Sequence, residues 1–277
     1  MITGGIKFFD RSKILDATAS APISGDASVT NLLNANRETF YRSVGSTDLI
    51  TEEIEIVFSE DRPIDRLFLI DFNGKNFNVQ YDVSGVWTDF ANVIDLDGSQ
   101  ATVTETAYAR DTYYAEFDQV TTGKIRIQIT ETQVANAQKY INQVIVTTEK
   151  ATLVGYPEIK DILSDRRLRV KKTLNKNSVQ KSLEVVTINL AFKNYPSSSV
   201  YNVDIDAMLD LHDSEDNFLV WLCGGRFDSP YFRYTIRGFR LQDVYEMQVA
   251  SAYKLGYRDN IYTNPINLAT IKLIEAI

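Results

Sequence analysis

The chain predicts an all-β protein, mainly antiparallel, with one short α-helix, and three observations predict it. Glu53-Ile54-Glu55-Ile56-Val57-Phe58 alternates charged and apolar residues, so Ile54, Ile56 and Phe58 share one face of a half-buried strand. Ile64-Asp65-Arg66-Leu67-Phe68-Leu69-Ile70-Asp71-Phe72 is apolar on both faces at its centre, the pattern of a strand covered on both sides. Asn73-Gly74 supplies the residue types of a type I′ hairpin turn, after which Phe77-Asn78-Val79-Gln80-Tyr81 resumes alternation; Ser84-Gly85 turns the chain again before Val86-Trp87-Thr88-Asp89-Phe90. Residues 53–90 therefore read as an antiparallel meander.

The pattern changes past Gly155-Tyr156-Pro157, a hinge in which Gly relaxes φ and Pro interrupts a strand ladder. Two domains are expected, 1–152 and 153–277. In the second, Leu183–Phe192 reads as a strong strand, followed by a Pro196-Ser197-Ser198-Ser199 loop. Asn202 then caps a helix near 203–212, with Asp204 and Asp206 in its first turn complementing the helix dipole. Asn217–Cys223 has a strand's length, although a second helical turn fits as well. From Phe232 to Val249 the apolar phase slips by one residue at Gly238, as a β-bulge would write it. Ile266–Ile274 reads as a last strand or a terminal helix.

Composition excludes several classes. The 277 residues carry 44% hydrophobic and 24% charged side chains, ordinary for a folded soluble protein. No run of about 18 apolar residues is present, so no membrane contact is expected. Met1–Asp10 lacks the basic start and apolar core of a signal peptide, and one cysteine with no Asn-x-Ser/Thr acceptor argues against secretion. A net charge of −8 repels phosphate polymers, so no dedicated nucleic-acid site is expected. Against that background Arg166, Arg167, Arg169, Lys171 and Lys172 concentrate positive charge, either on a solvated loop or hairpin or against an acidic neighbouring subunit.

No catalytic residue, metal ligand set or cofactor motif emerges. His212, the only histidine, sits among Asp210, Asp213, Glu215 and Asp216 with no nucleophile placed beside it. Cys223 lies in an apolar run and reads as a small buried hydrophobe. The acidic group from Asp204 to Asp216 fits no calcium loop, and neither Gly-x-x-x-x-Gly-Lys-Ser/Thr nor Gly-x-Gly-x-x-Gly occurs.

Ala17-Thr18-Ala19-Ser20, Asn31-Leu32-Leu33-Asn34, Thr39-Phe40-Tyr41-Arg42-Ser43, the pair around Val79-Gln80-Tyr81-Asp82 and Gly85-Val86-Trp87, and Lys124–Ile129 follow one another in that order. Over residues 14–148 this order resembles the discoidin-like (galactose-binding-like, coagulation-factor C-type) jelly roll. Asn34 and Asn36 replace the acidic residues that help hold a structural calcium in sugar-binding members, the terminal disulfide is absent, and Tyr140–Val146 matches the closing strand only in part. Such modules hold ligands on loops at one barrel end through an aromatic platform with polar partners, which makes Phe40, Tyr41, Arg42, Trp87, Tyr113 and Tyr114 the ligand candidates. Residues 155–277 resemble, by element order, the β-barrel-plus-helix proteins of bacteriophage tail tubes, distal tail rings and baseplates.

The resulting expectation is a non-enzymatic structural component of a phage tail or baseplate, made in the host cytoplasm and residing in the virion tail. It would form a homo-oligomeric ring through the second domain and adjoin other tail or baseplate proteins, with Arg166, Arg167, Arg169, Lys171 and Lys172 as subunit contacts and no cofactor. The alternative expectation is a carbohydrate- or receptor-binding module that attaches a particle to a surface glycan.

Overall fold

A computed structural model describes residues 6–10, 13–21, 28–33, 39–43, 48–95, 98–153, 158–172, 178–191, 218–221, 245–249 and 271–275. These are strands almost throughout: β1 (Ile6–Phe9), β2 (Thr18–Ser20), β3 (Tyr41–Arg42), β4 (Glu52–Phe72), β5 (Gly74–Val83), β6 (Val86–Asp89), β7 (Val93–Asp95), β8 (Ser99–Gln100), β9 (Thr104–Glu105), β10 (Thr112–Thr132), β11 (Tyr140–Thr147), β12 (Glu149–Leu153), β13 (Glu158–Lys172), β14 (Ser178–Ala191), β15 (Phe218–Trp221), β16 (Tyr245–Val249) and β17 (Ile271–Glu275). Lys13–Asp16 and Val29–Leu33 form short 3-10 helices. The protein is all-β, as its alternation predicts. The expected helix near 203–212, with His212, Cys223 and the bulge at Gly238, lies outside the described residues.

The chain divides into two compact units, one of Met1–Gly4, Phe9–Glu149 and Trp221–Val244, the other of Gly5–Phe8, Lys150–Val220 and Tyr245–Ile277. The division is not a single cut. β1, near the start of the sequence, is an interior strand of a seven-stranded sheet ordered β12-β1-β15-β16-β17-β14-β13.

The first unit is a sandwich made by two long antiparallel strands that each serve both layers. β4 and β10 pair along almost their whole length, with register shifts between Glu116 and Val120 and between Thr122 and Lys124. On one side of that corner, Arg66–Ile70 and Thr112–Glu116 pair with each other and with β11 and β7. On the other side, Glu52–Val57 and Lys124–Ile129 pair with each other and with β2 and β5. Bulges at such a corner increase strand twist and allow the fold-over.

Burial follows the sequence pattern. Ile54, Ile56, Ile125, Ile127 and Ile129 project from one layer into the core, where they join Leu67, Leu69, Tyr113, Ala115, Val144 and Val146. Phe77 is an aromatic hub, edge-on to Phe72 at 4.9 Å, Tyr113 at 5.1 Å and Tyr108 at 5.6 Å between ring centroids. Such pairs contribute roughly 0.5–1.5 kcal/mol each beyond area burial. The run Leu67–Ile70 is buried at all four positions. That agrees with its two-sided apolar pattern, Phe68 meeting Tyr114 on the face away from the core at 4.6 Å.

Two local expectations need correction. β4 and β5 do not form a hairpin, because β10 lies between them in the sheet. Asn73-Gly74 is instead a corner that carries the chain from the pairing partner of β11 to the partner of Thr132, and neither residue has positive φ. Gly74 is needed for a different reason: a Cβ there would stand 2.1 Å from Cζ of the buried Phe72 ring. The positive-φ pair occurs in the next turn, at Ser84 (φ 53°) and Gly85 (φ 89°), where Val83 faces Val86 across a two-residue hairpin.

Candidate functional site

The layer containing β2, β5, β6 and the ends of β4 and β10 has an open outer face. Cross-strand register places Glu55, Arg126, Gln80 and Asp89 in one row, and Asp82 opposite Trp87 in the next. Strict alternation is what sends these side chains outward while Ile56, Ile125, Val79 and Tyr81 point to the core. Trp87 is half-buried and is the one aromatic residue on this face among the described residues.

Arg126 organises the row. Its Nη1 donates to Glu53 Oε1 at 2.5 Å and its Nη2 to Gln80 Oε1 at 2.5 Å, while Gln80 Nε2 donates to Asp89 Oδ1 at 2.8 Å. The guanidinium carbon lies 4.6 Å from the Trp87 ring centroid, within cation–π range. The indole is thereby held in a fixed orientation at the edge of a polar surface that offers both donors and acceptors. Chemically this arrangement can bind a ring stacked on Trp87 whose hydroxyls reach the Gln80, Asp89 and Glu53 amide and carboxylate groups. It holds no nucleophile with a paired base.

The other candidates lie elsewhere and do not converge with Trp87. Phe40 and Arg42 are half-buried at the β3 edge, opposite the β6 edge that carries Trp87, with the Arg42 guanidinium 4.7 Å from the Phe40 ring centroid. Tyr41, Tyr113 and Tyr114 are buried completely, which corrects their reading as ligand contacts: none has surface to offer. Tyr113 is core. Tyr114 donates to Glu116 Oε1 at 2.8 Å on the opposite face of β10, and burial pushes its phenol well above the ordinary range.

Tyr41 belongs to a buried polar group at the end of the sandwich. Its hydroxyl donates to Glu52 Oε1 at 2.5 Å, and burial, reinforced by that carboxylate, drives its pKa up. Burial also raises Glu52, against the lowering influence of Tyr41 and Lys139. Lys139 Nζ donates to the Ile50 carbonyl at 2.5 Å, and burial lowers its pKa although Asp48 and Glu52 oppose that. Nearby, Asp48 accepts from the Asn136 amide at 2.9 Å and from both the amide and hydroxyl of Thr132 at 3.1 Å, while Asn136 Oδ1 accepts from the Asp48 amide. These bonds, the Asn136 amide first, hold the Asp48 carboxyl below its usual range. The group is a clamp between two loops.

Among the described residues no set of three or more His, Cys, Asp or Glu side chains could hold a metal ion; Asn34 and Asn36 lie outside them. Arg166, Arg167, Arg169, Lys171 and Lys172 occupy β13, at the edge of the seven-stranded sheet, in an antiparallel ribbon with β14.

Arg126, Gln80, Asp89 and Glu53 are absent from the sequence-derived candidates. The signal for them was the alternation of Lys124-Ile125-Arg126-Ile127-Gln128, which sets Arg126 on a polar face but cannot say which strand lies alongside.

No family model matches this chain, and no curated protein matches it. Solved structures do. Chitosan-binding module 1 from a Paenibacillus sp. IK-5 chitosanase/glucanase is 15% identical over 49% of this chain and 98% of its own, with a TM-score of 0.39. The family 32 carbohydrate-binding module of C. perfringens NanJ, in complex with galactose, is 14% identical over 50% of this chain and 99% of its own, TM-score 0.39. SpGH29 is 21% identical over 50% of this chain and only 28% of its own, TM-score 0.39. These neighbours include carbohydrate-binding modules matched over about half of this chain, and none of the three is a phage tail protein. At such scores the likeness decides nothing about the site.

Proposed function

We propose that the sandwich unit is a carbohydrate-binding module without turnover, which contacts a glycan through its open sheet face at Trp87. The observation that carries this is the pinned indole: an aromatic plane fixed by Arg126 beside Gln80, Asp89 and Glu53. Aromatic stacking with flanking hydrogen-bond groups is the chemistry by which a pyranose is recognised, since its axial hydrogens offer an apolar patch and its hydroxyls need partners. Glycan contact thus takes precedence over the tail-assembly expectation, which rests on elements of residues 155–277 that are mostly outside the described region.

The test is a glycan array probed with the full chain, followed by titration of any hit. Trp87→Ala is expected to weaken binding at least about tenfold, equivalent to about 1.4 kcal/mol, with the thermal midpoint almost unchanged because Trp87 is at a surface edge. Retention of no glycan, or equal affinity of W87A and the parent chain, would sink the proposal.

A further inference from the structure

The polar surface beside Trp87 continues well past the indole. Cross-strand register runs from Ser20 through Glu55, Arg126 and Gln80 to Asp89 without a break, over β2, β4, β10, β5 and β6. Directly opposed residues share a face of the sheet. Their chain neighbours Ala19, Ile56, Ile125 and Val79 belong to the core or pack against it, so the whole row points outward. Ser20 and Asp89 at its ends are exposed, and the three residues between them are half-buried. Four interstrand steps of about 4.8 Å make the row about 19 Å long, more than a single pyranose can cover.

Trp87 stands at one end of this row. It belongs to β6 and Arg126 to β10, with β5 between them. A guanidinium carbon 4.6 Å from the indole centroid means that the two side chains reach toward each other over β5. A sugar stacked on the exposed part of the indole is therefore set over the sheet, with the remainder of the row ahead of it. The site has the form of a platform that a chain can cross.

Charge narrows what can lie there. Arg126 is balanced by Glu53 at 2.5 Å. Across the outward face the carboxylates of Glu53, Glu55, Asp82 and Asp89 outnumber the cations Lys124 and Arg126. That excess repels uronates and sulfated sugars, whereas sugar hydroxyls can donate to carboxylates and exchange hydrogen bonds with the Gln80 amide. We propose that the site takes an internal segment of an extended polysaccharide without acidic groups, laid across the strands from Trp87 toward Ser20, and not a terminal sugar. The proposal rests on the glycan reading of Trp87 and adds to it a ligand class and a binding mode.

The experiment is affinity electrophoresis of the full chain in gels containing hydroxyethyl cellulose, arabinoxylan, galactomannan or polygalacturonate, followed by calorimetric titration with the matching oligosaccharides from disaccharide to hexasaccharide. Retention by a neutral polymer is expected, with affinity for its oligosaccharides rising at least about tenfold between disaccharide and hexasaccharide as contacts along the row are added. Glu55→Ala, which removes a contact two strands beyond Gln80, should weaken the hexasaccharide about threefold or more and leave the disaccharide unchanged. The length series on the parent chain is a separate readout that does not depend on how that variant folds. Glycan binding that is lost in Trp87→Ala but gains nothing with chain length would overturn this mode and leave the glycan reading standing. Stronger retention by polygalacturonate than by the neutral polymers, or equal weakening of short and long oligosaccharides by Glu55→Ala, would overturn it as well. Binding of no probe here and no glycan on the array would end both readings.

Discussion

Gly74 and Gly123 both lack open space for a Cβ, yet the consequences of filling them differ. At Gly74 the new methyl would collide with the Phe72 ring, which is fully buried and locked edge-on against Phe77. Gly74→Ala is expected to lower unfolding free energy by about 1–3 kcal/mol, the usual cost of overpacking, measured by chemical denaturation. At Gly123 the obstacle is Oδ1 of Asp61, 2.6 Å away on an exposed side chain that can turn aside. Gly123→Ala should change stability by no more than about 0.5 kcal/mol in the same assay.

Two carboxylates at the clamped end of the sandwich should respond to pH with opposite sign. Asp48 is held below its ordinary 3.8, so its stabilising contribution is present above that value and disappears as pH falls through the lower folded value. Asp48→Asn should therefore melt earlier than the parent at pH 7 and show a vanishing difference in strong acid. Glu52 is raised above its ordinary 4.5, so its contribution is complete below 4.5 and is lost as pH rises through the higher folded value. Glu52→Gln, uncharged throughout, should gain on the parent as pH is raised from about 4 to 7. Thermal melts of the two variants on one pH series check both; parallel shifts of the same sign would contradict the assigned causes.

At the scale of elements, the β5–β6 hairpin depends on a pair of positive-φ residues at its tip. Gly85 has φ 89° and nothing within 4 Å of where a Cβ would stand, so steric crowding does not enter and only backbone strain would be felt by a substituent. Gly85→Ala should cost about 1 kcal/mol by denaturation, and because Trp87 lies two residues away it should also weaken any glycan bound there. This hairpin was legible in the sequence, as were the strand at 124–129 and the two-sided burial of 67–70. The Asn73-Gly74 corner is not legible, since a two-residue turn motif between alternating runs looks the same whether the next strand pairs with the last or is separated from it by another strand. Likewise Tyr113-Tyr114 suits a ligand platform and a core equally in sequence, and only the covering of both faces of β10 distinguishes the two.

For the whole molecule, the place of β1 has a consequence that chain order conceals. Ile6–Phe9 comes first in sequence but sits between β12 and β15 in the seven-stranded sheet. Removing residues 1–9 should accelerate amide exchange in β12 and β15, by exposing backbone groups that β1 pairs. Unchanged exchange in β12 and β15 would show that β1 contributes nothing to that sheet.

The sequence alone determined the strand class, the inward and outward faces of alternating runs such as 53–58 and 124–129, and the acidic balance of the chain, because period-two alternation and side-chain charge are local properties that no neighbour can alter. Tertiary structure decided which strands lie side by side, and hence that Arg126 meets Trp87 and that Tyr41, Tyr113 and Tyr114 are shut away. Those outcomes depend on register and layer crossing between residues tens of positions apart, which the free energy of the assembled core selects and the local pattern does not encode.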